Sequence, residues 1–483
     1  MPFTPVSIDP NNIDAAPGPY QHWILNWTGT TRYVFAYNIG SSLLSLYRST
    51  DSGATWAAID VGNFPGSLND NSLLQSELIV GGGSAGSDLI RTMTALNRTT
   101  GGGTTPISVL EFCEFDVGTL AWSGPTNIGG GFDQHNYKSL DATECASLQR
   151  FLRGDGTEIV VYQCDPLTGF ANGVRRIRIL KRSGATWTQL AQFGAETFVG
   201  PTPGADYIQE HYVLWSGVKS GADVVYIFAN HAHVPVPDGG SFYEDPLGME
   251  LGCITVSATD GVSAFQSIEQ DVEQMPAVTN PAQPTASTEN GRAAINLDSS
   301  EVAFGYGYQT NTFPAGAGAE VHVVRGDLTG DPLAPSWTVD VITTNQPKWN
   351  GGTANDVSVT YDNPAKIAFE YFGAGVVTVA YGEHALANLK VYWATQGASN
   401  KGKLKFSQFD GISTWTPAVQ LWPDPDSSAV SLDGFDVGSE APTPSLPLSL
   451  SCPPVSTATV GVFYDEFLQV IGGVPPLFFE IIP

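Results

Sequence analysis

The run Ser49-Thr50-Asp51-Ser52-Gly53-Ala54-Thr55-Trp56 fits the pattern S-x-D-x-G-x-T-W at every fixed position, and weakened copies of it recur along the chain. Its physics is local. Asp and Ser side chains bond the backbone of their own turn, Gly takes a conformation closed to other residues, and Trp packs the turn onto the strands it joins. The copies are Phe115-Asp116-Val117-Gly118 with Trp122; Ser183-Gly184-Ala185-Thr186-Trp187; Asp260-Gly261-Val262-Ser263 with Phe265; Gly330-Asp331 with Trp337; and Asp410-Gly411-Ile412-Ser413-Thr414-Trp415. The closing aromatics at 56, 122, 187, 265, 337 and 415 stand 65 to 78 residues apart, which is room for four strands and their loops. A hairpin repeat of that period predicts propeller blades or solenoid units.

A pair of apolar strands precedes each such turn. The second members are 33–38, 89–96, 159–164, 224–230, 302–308, 376–381 and 459–464, one more than the recognisable turns. With 467–471 and 477–482 finishing the last unit, the expectation is an all-β, seven-bladed propeller of four-stranded antiparallel blades, six blades being the alternative. Joining the last blade to the first leaves no long exposed strand edge. The long connections 62–72, 194–206, 232–248, 273–291 and 422–447 separate no second domain, so residues 1–483 are read as one propeller. Composition agrees. Charged residues are only 14% of the chain and there are 53 Gly and 33 Pro, the profile of short strands and frequent turns, with no apolar repeat at helical spacing for three turns.

Charge and cysteines narrow the partners. The 21 Lys and Arg against 48 Asp and Glu leave a net charge of −27, which repels nucleic acid and anionic membranes. The first residues have neither the basic nor the apolar part of a secretory signal, and no segment is apolar for long enough to span a bilayer. Five cysteines without a CxxC pair indicate neither a disulfide framework nor a zinc site. Cys145 and Cys164 flank a turn at Gly154-Asp155 and would sit opposite one another; two small buried thiols is the reading preferred over a cross-strand disulfide.

The turn Ser49 to Trp56, following Leu43-Leu44-Ser45-Leu46-Tyr47-Arg48, is an Asp box and resembles the first repeat of the sialidase-like BNR-repeat propellers. The resemblance implies the fold, with Ser49, Asp51, Gly53, Thr55 and Trp56 as a structural staple. In sialidases it would also imply three arginines on a carboxylated sugar, a Tyr-Glu nucleophile pair and an Asp acid. Where their first arginine stands in an Arg-Ile-Pro motif, this chain reads Tyr20-Gln21-His22-Trp23-Ile24-Leu25; the next strand ends in Asn38, and no arginine follows Arg325. Bidentate carboxylate recognition needs guanidinium groups, so sialidase activity is not expected.

Other constellations are weaker. His231-Ala232-His233 beside Glu210-His211 lacks the converging ligands a metal needs, and hydrogen-bonded loop histidines are expected. Asp424, Asp426, Ser428, Asp433, Asp436 and Glu440 begin like a calcium loop, but Ala429 stands where that loop needs Gly; a solvated acidic loop is preferred to a loose calcium site. Arg175 to Arg182 is the one basic cluster. Alternation puts Arg176, Arg178 and Arg182 on one face, a candidate stripe for anionic glycan or an acidic neighbouring subunit. Adjacent carboxylates at Glu244-Asp245 and Asp465-Glu466 point to opposite faces of a strand, so neither makes a glycosidase pair alone.

The expectation for function is therefore a non-catalytic propeller, with no catalytic residues, no metal and no cofactor. It would bind glycan or the other subunits of an assembly, as a phage virion or bacterial surface component, without nucleic acid or membrane insertion. The alternative is a glycoside hydrolase or lyase on the same scaffold, distinguished by two carboxyl groups facing each other.

Overall fold

Short runs of β-branched and aromatic residues, bounded by Gly and Asp turns, form strands throughout the chain. In a computed structural model, structure is described for residues 6–9, 25–38, 43–66, 73–99, 106–127, 148–164, 176–194, 207–236, 249–270, 293–296, 298–308, 319–346, 357–361, 365–371, 375–381, 388–396, 402–420, 432–440, 449–451 and 469–471.

After β1 (Val6–Asp9), blade one is β2 (Leu25–Thr28), β3 (Thr31–Asn38), β4 (Leu43–Ser49) and β5 (Ala57–Val61). Blade two is β6 (Leu73–Ile79), β7 (Leu89–Thr99), β8 (Pro106–Asp116) and β9 (Ala121–Asn127). Blade three is β10 (Leu148–Leu152), β11 (Glu158–Cys164), β12 (Arg176–Ser183) and β13 (Thr186–Phe193). Blade four is β14 (Tyr207–Lys219), β15 (Val225–Val236), β16 (Met249–Val256) and β17 (Gln266–Gln270). Blade five is β18 (Ala293–Ile295), β19 (Glu301–Tyr308), β20 (Ala319–Asp327) and β21 (Ser336–Gln346). Blade six begins with β22 (Val357–Thr360) and, after an insertion of β23 (Ala365–Tyr371) and β24 (Gly375–Tyr381), resumes with β25 (Lys390–Gln396), β26 (Gly402–Gln408) and β27 (Val419–Gln420). Then come β28 (Leu432–Glu440) and a small ladder of β29 (Ser449–Ser451) with β30 (Gln469–Ile471).

The blades are antiparallel meanders in chain order, and the first strand of each lies against the first strand of the next. Among the described residues the molecule is thus a propeller of six four-stranded blades, the count held as the alternative. The expected sixth pair was misplaced: 376–381 falls in β24, outside blade six, and β25 takes the second position there. The expected seventh pair at 459–464 lies outside the described residues. Between blades six and one, β28 packs against β22 and pairs in parallel with β2 through Asn26 with Ser439 and Trp27 with Glu440. Behind it follow β23, β24 and β1. This closing sheet is assembled from three distant parts of the chain, which is why no local repeat announced it.

The cores lie between blades. Phe35, Leu46, Ile90 and Phe115 join blades one and two; Ile159, Ile179, Val225 and Ile227 join three and four; Phe228, Phe304 and Tyr306 join four and five; Val323, Val391 and Trp393 join five and six. Second strands are almost wholly buried and outermost strands mostly exposed, as stacked sheets require. Ile8 of β1 sits on Val34 and Ala36 of blade one.

At the Ser49 to Trp56 turn, Ser49 Oγ accepts from Gly53 N at 2.8 Å and donates to Asp51 at 2.7 Å. Asp51 accepts from Thr55 N at 2.9 Å and Thr55 Oγ1 at 2.6 Å. Gly53 has φ of 88°, a region costly to any side chain. Asp410 repeats the pattern on the amides of Ile412, Ser413 and Thr414. No helix among the described residues is long and apolar enough to cross a membrane.

Candidate functional site

In a meander the first-to-second and third-to-fourth turns emerge at one end of the blade, here called the turn end. The second-to-third loops and the links between blades emerge at the other, the loop end. Among the described residues, polar clusters lie between blades at both the turn end and the loop end.

Between blades two and three, Glu158 at the start of β11 is met by three guanidinium groups. Arg91 of β7 reaches its Oε1, Arg150 of β10 bonds Oε2 from Nε at 2.7 Å and Oε1 from Nη2 at 3.1 Å, and Arg182 of β12 stands at 3.4 Å. Arg91 also holds Glu114 at 2.9 Å. Burial alone would raise the Glu158 carboxyl, but the hydrogen bonds and charges of Arg150 and Arg91 outweigh it and hold it down at about 2. Glu77 on β6 shows the opposite balance: burial raises its pKa further than Arg91 and Arg150 can lower it. The three arginines of this network are already engaged by the protein's own carboxylates, which makes it a clasp between blades.

The expected anion stripe is divided by this arrangement. Arg176 is buried, Arg178 donates from Nε to Gln192 at 2.9 Å, and Arg182 faces Glu158 beside the rings of Phe112 and Trp187. Lys181 pairs with Asp260 of blade four at 2.6 Å.

Between blades five and six, Tyr361 donates to Glu301 at 2.6 Å, and Arg325 bonds Glu301 at 3.1 Å and Asp340 at 2.7 Å. Trp415 donates to the same Asp340 at 3.2 Å, as Trp122 of blade two donates to Asp60 of blade one at 3.0 Å. Burial and then the Glu301 charge push the Tyr361 hydroxyl well above its ordinary value, opposite to what a tyrosine nucleophile needs.

The loop-end cluster joins blades four and five. Glu320 and His322 alternate along β20 and so share a face, to which Glu269 on β17 is brought from the neighbouring blade. His322 Nε2 stands 2.9 Å from Glu320, and Nδ1 stands 3.2 and 3.3 Å from the two oxygens of Glu269. Tyr306 places its hydroxyl 3.5 Å from Nδ1 and its ring edge-on to the imidazole, continuing the rings of Trp215 and Phe304. Ionised carboxylates only accept, so with both glutamates ionised, bonding both ring nitrogens needs the doubly protonated imidazolium. Burial would lower the imidazole, yet hydrogen bonds and charges of Glu269 and Glu320 overcome it and raise the pKa. His322 is 4% exposed, whereas Glu269 and Glu320 keep 19% and 23% of their side chains open to solvent. Titratable groups in contact, on side chains that are partly exposed, are able to serve general acid and base chemistry.

Sequence reading missed this cluster. The alternation Glu320-Val321-His322 was its one local sign, and nothing local pointed to Glu269. His231, singled out by sequence, instead stacks on Tyr212 at 4.4 Å; the side chains of Glu210, His211 and His233 lie outside the described residues, as do Cys145 and the residues 424 to 428 of the acidic loop. Among the described residues no group of three or more His, Cys, Asp or Glu is placed to hold a metal ion.

No family model matches the chain, and no curated protein matches it in sequence. Among solved structures it is similar to an α-L-arabinanase of Penicillium chrysogenum in complex with arabinobiose, at 11% identity and a TM-score of 0.41, over 79% of this chain and 98% of that one. An α-L-arabinofuranosidase of Fusarium graminearum aligns at 12% identity and a TM-score of 0.38, over 78% and 97%. A Hadza microbial sialidase aligns at 14% identity and a TM-score of 0.36, over 75% and 65%. The expectation of a non-catalytic assembly protein is corrected at this point. The loop end carries a cluster of titratable side chains in contact across two blades, which single strands could not reveal.

Proposed function

We propose that the chain is a glycoside hydrolase carried on a propeller, with Glu269, His322 and Glu320 as its acid and base group. The observation that supports this reading is the imidazole of His322, held between the carboxyl groups of two glutamates whose side chains stay partly exposed at the loop end. Glycosidic hydrolysis needs a proton delivered to the leaving oxygen and an ionised carboxylate to activate or replace water. A glutamate bonded to an imidazolium draws on a proton store it does not itself have to hold at neutral pH. In this reading Glu320, the more exposed of the pair, meets the leaving oxygen. His322 reloads it, and Glu269 keeps the imidazole charged and oriented and takes up the proton of the attacking water, which returns through His322 to Glu320.

The test is release of nitrophenol from a panel of aryl glycosides, furanosides and pyranosides, by the wild type and by E320Q, H322Q and E269Q. Turnover by the wild type is expected, lower by at least about 10²-fold in E320Q and H322Q, the usual worth of a positioned proton donor. In E269Q the alkaline limb of the pH profile moves to lower pH, because the imidazole loses the charge that raises it. No turnover on any member of the panel, or turnover indifferent to E320Q, would overturn the reading.

A further inference from the structure

His322 has two ring nitrogens and three hydrogen-bonding neighbours, and the three differ in what they offer. Glu320 stands 2.9 Å from Nε2, and the two oxygens of Glu269 stand 3.2 and 3.3 Å from Nδ1. When ionised, both carboxylates only accept. Tyr306 lies directly opposite His322 in the pairing of β19 with β20, and its hydroxyl stands 3.5 Å from the same Nδ1. A phenol both donates and accepts. The Tyr306 side chain is fully buried, with its ring edge-on to the imidazole at 5.6 Å, so the hydroxyl is fixed beside Nδ1. Among the described residues the titratable groups that face the imidazole are Glu269 from β17, Glu320 from β20 and Tyr306 from β19. The outermost strand, β21, places the uncharged Val341 opposite His322.

We propose that His322 is a two-position switch between blades four and five, in which Tyr306 takes the place of Glu269 at Nδ1 when the imidazole is neutral. As an imidazolium the ring donates from Nε2 to Glu320 and from Nδ1 to Glu269, and so ties β17 of blade four to β20 of blade five. A neutral ring keeps one N–H. A bare Nε2 would set its lone pair against Glu320 at 2.9 Å, the shorter of the two carboxylate approaches. A bare Nδ1 instead finds the Tyr306 hydroxyl, which turns its hydrogen to the ring. The neutral imidazole therefore keeps its Nε2 hydrogen on Glu320, accepts from Tyr306 at Nδ1, and no longer holds Glu269. The proton it loses goes to solvent, which reaches the partly exposed side chains of both glutamates. Burial opposes the charged ring, but the two glutamates outweigh it and raise the pKa above the ordinary 6.5, so the exchange falls on the alkaline side of that value. Stability from the bridge is thus present below 6.5 and lost as pH rises through the folded value. Tyr306 is a positioning residue, acting through His322. That the exchange also sets turnover rests on the hydrolase reading, in which Glu269 has to stay bonded to the ring.

The experiment is a pH titration of the ring nitrogens by NMR on the full chain labelled with nitrogen-15 in histidine, with H322Q to assign the signals. The neutral ring of the wild type is expected to carry its hydrogen on Nε2. Y306F removes the group that stabilises this neutral ring, so its midpoint moves up by about half to one pH unit, the size of one neutral hydrogen bond, and its hydrogen shifts toward Nδ1. A Tyr306 that only packs gives the opposite sign, because a loosened junction weakens the glutamate bonds and lowers the midpoint toward 6.5. If Y306F does not fold, the position of the hydrogen in the wild type decides alone. A neutral wild-type ring with its hydrogen on Nδ1, or a Y306F midpoint that is unchanged or lower, would sink the proposal. None of these signals needs turnover. An inactive protein whose neutral ring carries the hydrogen on Nε2 overturns only the hydrolase reading, and an active one with the hydrogen on Nδ1 overturns only the switch.

Discussion

Glu158 shows how one side chain acquires a role from its neighbours. Alone it is a glutamate at the start of a strand; in the propeller it receives hydrogen bonds from arginines on β7, β10 and β12. Its pKa falls from the ordinary 4.5 to about 2, so the stability it contributes is present above 4.5 and is lost as pH falls through the folded value. E158Q is expected to destabilise the protein by about 3–5 kcal/mol at neutral pH, because it leaves buried guanidinium charge without its counterion. The deficit should shrink as the medium becomes acidic, where the wild type loses the same charge. Urea midpoints of both proteins across the acidic range measure this, and a deficit that stays constant with pH would contradict the assignment.

At the scale of elements, the closing sheet ties together distant parts of the chain. β1 pairs with β24 through Val6 with Thr378 and Ser7 with Val377, and its one described buried side chain, Ile8, rests on Val34 and Ala36 of blade one. A four-residue strand is thus tied to both sides of the junction between the last blade and the first. I8A is expected to cost about 2–4 kcal/mol, the usual loss for a buried Ile truncated to Ala. Hydrogen exchange should quicken first in β24 and β3 and leave blade four unchanged. Equal quickening in all blades would mean that β1 does not act as a local fastener. The Trp122 to Asp60 and Trp415 to Asp340 bonds make similar ties between neighbouring blades. In both, the aromatic that closes a turn motif reaches an aspartate on the outermost strand of the preceding blade.

For the whole molecule the dominant fact is charge. A net charge of −27 on one compact body repels itself, and that repulsion is screened within about 8 Å at physiological ionic strength. Raising sodium gluconate from low to physiological concentration should therefore raise the thermal midpoint by a few degrees through screening alone. A midpoint that falls with gluconate would show that surface ion pairs outweigh the repulsion. The same excess charge makes the engaged arginines conspicuous: Arg91, Arg150 and Arg153 reach carboxylates of a neighbouring blade, and Arg325 holds Glu301 and Asp340 of its own.

Local periodicity and turn chemistry were enough for the fold class. Ser49 to Trp56, the spaced copies and the apolar strand pairs act within one hairpin or one blade, so a linear reading detects them. The misplaced sixth pair shows the limit: 376–381 has the pattern of a blade strand, but it lies in an insertion whose pairing partners are β1 and β23. Strand pattern does not say which edge a strand will find. The same holds more strongly for the site. Sequence separates Glu269 from His322 by 53 residues and by a blade boundary, and only the packing of β17 against blade five brings them together. Hairpins are set by contacts between near neighbours, whereas protonation states and converging carboxyls depend on burial and charge contributed by distant strands, which come into being only when the ring closes.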